Sequence, residues 1–149
     1  MSKNCKLVSG FIVECANGLI AWSLKQQVVV ALSLCEAEYL VCSHCAHQIL
    51  WLQSLFLELG FTQHQSTPLY CDNQGTILCS HNPQSHSRMK HIDICAHFIR
   101  DSVSRCLIDI HHISGFKNPV DLFTKPLAQI IHKKWIICIR LDKDDPCLQ

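Results

Sequence analysis

Apolar and polar residues alternate in short runs near the start of the chain. Val8 to Cys15 (VSGFIVEC) reads as a strand, Asn17-Gly18 as a tight hairpin turn, and Leu19 to Trp22 as the return strand. Lys25-Gln26-Gln27 then reads as a loop, and Val28-Val29-Val30 as the opening of a third strand. At Ser33 the period changes. Leu34, Ala37, Val41, Cys45, Ile49, Leu52, Phe56 and Leu59 recur at helical spacing. Ser33 and Glu36 have the spacing of a capping box, and Gly60 supplies a stop.

A strand ending at Asp72 follows, then a short helix from about Gln74 to Cys79. Asn82-Pro83 punctuates, and a second long helix is predicted over Ile92 to Ser104. Leu107 to Ile113 (LIDIHHI) alternates as a half-buried strand does. Pro119 to Phe123 predicts the first turn of another helix, stopped near Pro126. The order β-β-β-α-β-α-α-β-α places the chain in the α/β class. Past Pro126 the pattern weakens: Ile130 to Leu141 is apolar, and Asp142 to Gln149 is a polar tail.

Composition narrows this picture. A chain of 149 residues, 48% hydrophobic and 17% charged, suits one packed domain and excludes disordered and fibrous classes. No apolar run reaches bilayer length and MSKNCKLVSG is not of the signal-peptide kind, so an intracellular protein, cytoplasmic or nuclear, is expected. The eleven cysteines are odd in number and irregular in spacing. Cys15, Cys35, Cys71, Cys79, Cys95 and Cys138 lie in apolar patterns and read as buried reduced thiols. The net charge of +1 carries no basic signature, so nucleic-acid contacts must come from a local cluster. The best is His86-Ser87-Arg88-Met89-Lys90-His91, with Lys117, Lys125, Lys133 and Lys134 in support; taken alone these are ordinary surface charges.

Three carboxylates stand out by position: Glu38 one turn into the long helix, Asp72 at a strand end, and Asp121 in the first turn of a late helix. Singly, each has a plain explanation in helix capping or the helix dipole. Together in one cleft they would repel unless a cation sat among them, and Mg²⁺ takes such oxygen ligands. A pair of such ions supports phosphodiester hydrolysis. A rival site is Cys42-Ser43-His44-Cys45-Ala46-His47, which holds both C-x-x-C and H-x-x-H spacings for zinc, although within one helix.

Five segments carry a family resemblance. Trp22-Ser23-Leu24-Lys25-Gln26 resembles W-x-S-K-K-Q, and Ser33-Leu34-Cys35-Glu36-Ala37-Glu38-Tyr39 resembles S-S-T-E-A-E-Y. Leu69-Tyr70-Cys71-Asp72-Asn73-Gln74 is similar to I-Y-C-D-N-Q. His86-Ser87-Arg88-Met89-Lys90-His91-Ile92-Asp93, with His97-Phe98-Ile99-Arg100, is similar to H-S-R-T-K-H-I-D and Y-H-F-I-R. Val120-Asp121-Leu122-Phe123-Thr124-Lys125-Pro126-Leu127 resembles A-D-I-F-T-K-P-L. In this order they are the motifs of copia-type LTR retrotransposon ribonuclease H domains, from the Pol polyprotein.

The resemblance implies a ribonuclease H-like mixed sheet flanked by helices over residues 1–128, with 129–149 as a divergent tail. It implies cleavage of the RNA strand of RNA/DNA hybrids with Mg²⁺ or Mn²⁺, beside the reverse transcriptase region of the same polyprotein and away from membranes. Glu38, Asp72 and Asp121 match three of the family's four metal-binding acids; Arg88, Lys90 and His91 would contact nucleic acid. His91, and after it His111 and His112, could relay a proton. The fourth acid belongs to a first, central strand. No Asp or Glu precedes Glu14, so that strand is expected to be missing, and hydrolysis by this chain alone is expected to be weak or absent. The alternatives are a non-catalytic nucleic-acid-binding or decayed remnant and, behind that, a structural zinc module.

Overall fold

Ala16 and Asn17 both adopt left-handed backbone, with φ of 51° and 61°, and close a two-residue hairpin. The computed structural model describes residues 8–26, 34–81 and 90–139. Along the chain these form β1 (Val8–Cys15), β2 (Gly18–Gln26), α1 (Leu34–Glu58), β3 (Thr67–Cys71), α2 (Gln74–His81), α3 (Lys90–Ser104), β4 (Ile108–His112), a 3-10 turn (Gly115–Lys117), α4 (Asp121–Thr124) and α5 (Gln129–Cys138). The proposed third strand at Val28–Val30, the Ser33 cap, Asn82-Pro83 and the polar tail lie outside the described residues. The chain divides into two units, 1–28 with 115–149, and 29–114.

In the first unit β1 and β2 pair antiparallel, from Val8↔Gln26 to Cys15↔Gly18. The expected turn pair, Asn17-Gly18, is displaced by one residue: Gly18 already pairs with Cys15. The register steps from Val13↔Ala21 to Glu14↔Leu19, leaving Ile20 as the extra residue of a bulge. β2 also runs on through Lys25 to Gln26, where a loop was expected. Gly10 has a packing reason: a Cβ there would lie 2.9 Å from the Ser23 carbonyl oxygen and 3.4 Å from Thr124 Cγ2 on α4. Helix α5 occupies a segment in which no element was expected. Its Ile-Ile and Trp-Ile-Ile runs blur the helical period.

In the second unit β3 and β4 pair parallel, Thr67↔Ile108 to Cys71↔His112. Strand alternation turns Leu69, Cys71, Ile108 and Ile110 inward, where all are buried. Against them lie Ala37, Cys42, Cys45, Ala46 and Ile49 of α1 and Ala96, Ile99 and Ser102 of α3. Ala46 and Ala96 are nearly or fully buried small residues that let helices approach closely. The buried stripe of α1 is rotated from the one the sequence suggests. Cys42 and Ala46 lie at its centre, while Leu59 is 61% exposed. Gly60, at φ 86°, ends α1: its N–H donates to the Leu57 carbonyl at 3.0 Å and that of Phe61 to Phe56 at 2.8 Å. This is the Schellman arrangement. α3 ends the same way on a non-glycine residue, Cys106 at φ 54°, with Cys106 N–H on Val103 O and Leu107 N–H on Ser102 O.

The class is mixed α/β, with a small β component flanked by helices, compatible with a ribonuclease H-like fold. Among the described residues the strands pair as two two-stranded ladders, β1–β2 and β3–β4.

Candidate metal centre

β3 ends at Cys71, and the chain bends at Asp72. The next helix does not use Asp72 as its cap. Asn73 Oδ1 accepts the backbone N–H of Thr76 at 3.2 Å, and its carbonyl accepts Ile77 N–H at 3.3 Å. These are the bonds of an N-cap residue, and Thr76 beneath it is fully buried. The plain explanation of Asp72 therefore belongs to its neighbour.

Glu38 approaches from α1. It stands one turn before Cys42, on the buried side of that helix. Glu38 and Asp72, both half-buried, come together with the buried Cys71, and one ligand atom from each lies within 4.8 Å of the other two. Two of the three sequence-predicted acids are thus brought together by α1 and the end of β3. The third, Asp121, lies in the other unit, in the first turn of α4, where Lys125 Nζ reaches its Oδ1 at 2.8 Å. Its side chain is 16% exposed. Arg88 falls outside the described residues. Lys90 and His91 open α3, and their side chains are likewise outside the description.

Cys71 was missed as a site residue, having been read as a small hydrophobe. It is buried as expected, but its sulfur also faces the carboxylates. Strand alternation puts residues 71 and 72 on opposite faces; only the bend at Asp72 brings them together. The Cys42 thiol hydrogen-bonds to the Cys71 sulfur. That bond, then burial, then the neighbouring Cys71, Cys45 and Glu38 hold Cys42 protonated well above the usual thiol range. The same bond draws the Cys71 thiol downward against its burial, and a backbone hydrogen bond with Asn73 acts in the same direction.

The zinc alternative does not assemble. Cys42 and Cys45 point into the core, and burial pushes the Cys45 thiol up to about 12. His44 and His47 are exposed. His47 Nδ1–H donates to the Ser43 carbonyl at 2.8 Å, and its ring stacks on Phe98 at 3.7 Å. Among the described residues, Glu38, Cys71 and Asp72 form the one group with metal-binding geometry. His111 and His112 are exposed on β4, and His111 Nε2 lies 3.0 Å from Asp109 Oδ2. Of the cysteines expected inside, Cys15 and Cys138 are exposed because they sit at the hairpin end and the last residue of α5; Cys95 is half-buried. All the described cysteines are free thiols. Among the described residues no helix is long and apolar enough to cross a membrane.

No protein-family model matches the chain, and no solved structure does. Curated sequences do. The chain is 40% identical over 123 residues to the retrovirus-related Pol polyprotein from transposon RE2 of Arabidopsis thaliana, which covers 82% of this chain and 8% of that protein. It is 38% identical over 138 residues to that from transposon TNT 1-94 of Nicotiana tabacum, covering 93% of this chain and 10% of the relative. It is 41% identical over 122 residues to that from transposon RE1 of Arabidopsis thaliana, covering 81% and 8%. Its homologues are retrovirus-related Pol polyproteins of plant transposons. The chain spans 8–10% of the length of these relatives.

Proposed function

We propose that the chain is the ribonuclease H segment of a retrotransposon Pol polyprotein, which hydrolyses the RNA strand of RNA/DNA hybrids with Mg²⁺ or Mn²⁺. The observation that carries this reading is the convergence of Glu38 and Asp72, which lie far apart in sequence and in separate motifs. Their donor chemistry suits a hard divalent ion, because neighbouring carboxylates need positive charge between them. Asp121 enters this reading through its motif alone, Val120 to Leu127. When bound, the ion supplies activation of water and charge neutralisation at the phosphodiester. Glu38 and Asp72 hold and orient it from a rigid helix and a strand end. Arg88, Lys90 and His91 grip the hybrid backbone, through phosphates and the 2′-hydroxyls that mark the RNA strand. The reverse transcriptase region of the same polyprotein supplies the hybrid, inside the cell.

The test is cleavage of a labelled RNA/DNA hybrid in Mg²⁺ by the chain and by Asp72→Asn, each alone and each extended upstream by a strand carrying one Asp. Weak or no cleavage by the chain alone, recovery on extension, and loss in Asp72→Asn support the reading. Cleavage that survives Asp72→Asn overturns it. Absence of cleavage in every form, with salt-sensitive hybrid binding, replaces it by a non-catalytic binding remnant.

A further inference from the structure

Cys71 gives the carboxylate pair a donor that Mg²⁺ does not use. Its sulfur lies within 4.8 Å of ligand oxygens of both Glu38 and Asp72. The donors come from two elements, α1 and the end of β3, separated along the chain by most of α1 and the loop after it. Cys71 is only 4% exposed, and behind it the Cys42 thiol hydrogen-bonds to its sulfur, fixing its position from the core side. The other neighbouring core thiol, Cys45, is not among the three converging groups.

Hard ions such as Mg²⁺ take oxygen ligands, whereas thiolate favours softer ions and contributes strongly to zinc sites. Two carboxylates and one thiolate make three protein ligands with a fourth position open, the ligand count of an accessible zinc centre. Ligand atoms around a tetrahedral ion at zinc bond lengths stand about 3.5 Å apart. The 4.8 Å limit therefore asks for small side-chain adjustments, not for backbone movement. Coordination replaces the S–H bond of Cys71 by a sulfur–metal bond, and the proton leaves to solvent.

We propose that Glu38, Cys71 and Asp72 form a mixed oxygen–sulfur site that takes a thiophilic divalent ion, Zn²⁺ or its analogue Cd²⁺, in place of the hard ion. The inference rests on the reading of Glu38 and Asp72 as metal ligands. Its consequence is regulatory: a thiophilic ion held by Cys71 keeps the carboxylates from the ion that hydrolysis needs.

The experiment titrates the full chain, stripped of metal by a chelator, with Cd²⁺ in excess Mg²⁺ and follows the thiolate-to-cadmium charge-transfer absorbance. Exposed thiols such as Cys106 add to this signal, so differences between variants are read. Cys71→Ser removes one equivalent of the absorbance and Cys45→Ser leaves that equivalent in place. Glu38→Gln and Asp72→Asn, which keep every cysteine, each weaken it by at least the roughly tenfold typical of lesser outer-shell losses. Persistence of that equivalent in Cys71→Ser, or parent-like affinity in both carboxylate variants, overturns the proposal. If Cys71→Ser fails to fold, the two carboxylate variants decide. Cd²⁺ binding as described in a chain that never cleaves a hybrid sinks the ribonuclease reading alone. Hydrolysis without this site sinks the present inference alone.

Discussion

Asn73 Oδ1 accepts the backbone N–H of Thr76 at 3.2 Å, so the residue after Asp72 closes the start of α2. Division of labour between adjacent side chains follows: one caps, the other is left to the carboxylate cluster. Asn73→Ala is expected to destabilise the fold by about 1 kcal/mol, the usual cost of losing such a cap, while Asp72→Ala costs much less. Urea unfolding of the two variants checks this. Equal losses would mean that Asp72 shares the capping role.

The two helix ends at Gly60 and Cys106 predict substitutions of opposite sign. Both residues adopt left-handed backbone, φ 86° and 54°, which is strained for any residue with a Cβ. Cys106→Gly should stabilise by about 0.5–1 kcal/mol, the relieved strain outweighing the extra freedom of glycine in the unfolded chain. Gly60→Ala should destabilise by about 1 kcal/mol. The thermal midpoints should move up for the first and down for the second.

Gln53 joins three elements. Its Nε2 donates to Thr67 Oγ1 on β3 at 2.8 Å and to the Leu107 carbonyl just before β4 at 2.9 Å. Gln53→Met keeps the length of the side chain and deletes both bonds, for an expected loss of about 1–2 kcal/mol. Hydrogen exchange at the starts of β3 and β4 should rise in the variant more than in the β1–β2 hairpin.

Burial raises the Cys45 thiol from 9.0 to about 12. Between those values the unfolded chain has lost this proton while the folded chain keeps it. Raising the pH therefore favours unfolding, and the contribution of this group is fully present only below about pH 9. Cys45→Ala should remove up to about 1.4 kcal/mol per pH unit from the slope of stability in that window, whatever its effect on packing at neutral pH. Parallel slopes for parent and variant would contradict the assignment.

Much of the fold is legible in the sequence because its signals are local. The hairpin, α1, α2, α3 and β4 follow from period and punctuation: β1 keeps its expected bounds, Val8–Cys15, as do the start of α2 and the end of α3, while other ends move by a few residues. The misplaced turn has a physical source. Asn-Gly is a strong turn pair, but the bulge at Ile20 sets a register in which Gly18 pairs and Ala16 takes its place in the turn. α5 was obscured by its β-branched runs. Glu38 and Asp72 were legible as candidates through their motifs, although their convergence is tertiary and no spacing expresses it. Cys71 was hidden because strand alternation assigns it to the core, and the bend at Asp72 that breaks this rule leaves no mark in the sequence.

The parallel pairing of β3 with β4 also sets an order of assembly. The hairpin at Ala16–Asn17 closes between near neighbours, on the microsecond scale of such turns. Thr67 pairs with Ile108 across a long crossover that includes α2 and α3, and such distant pairings slow folding. During synthesis β3 emerges well before its partner. The strand end that presents Cys71 and Asp72 is therefore expected to gain its β4 partner later than the hairpin closes.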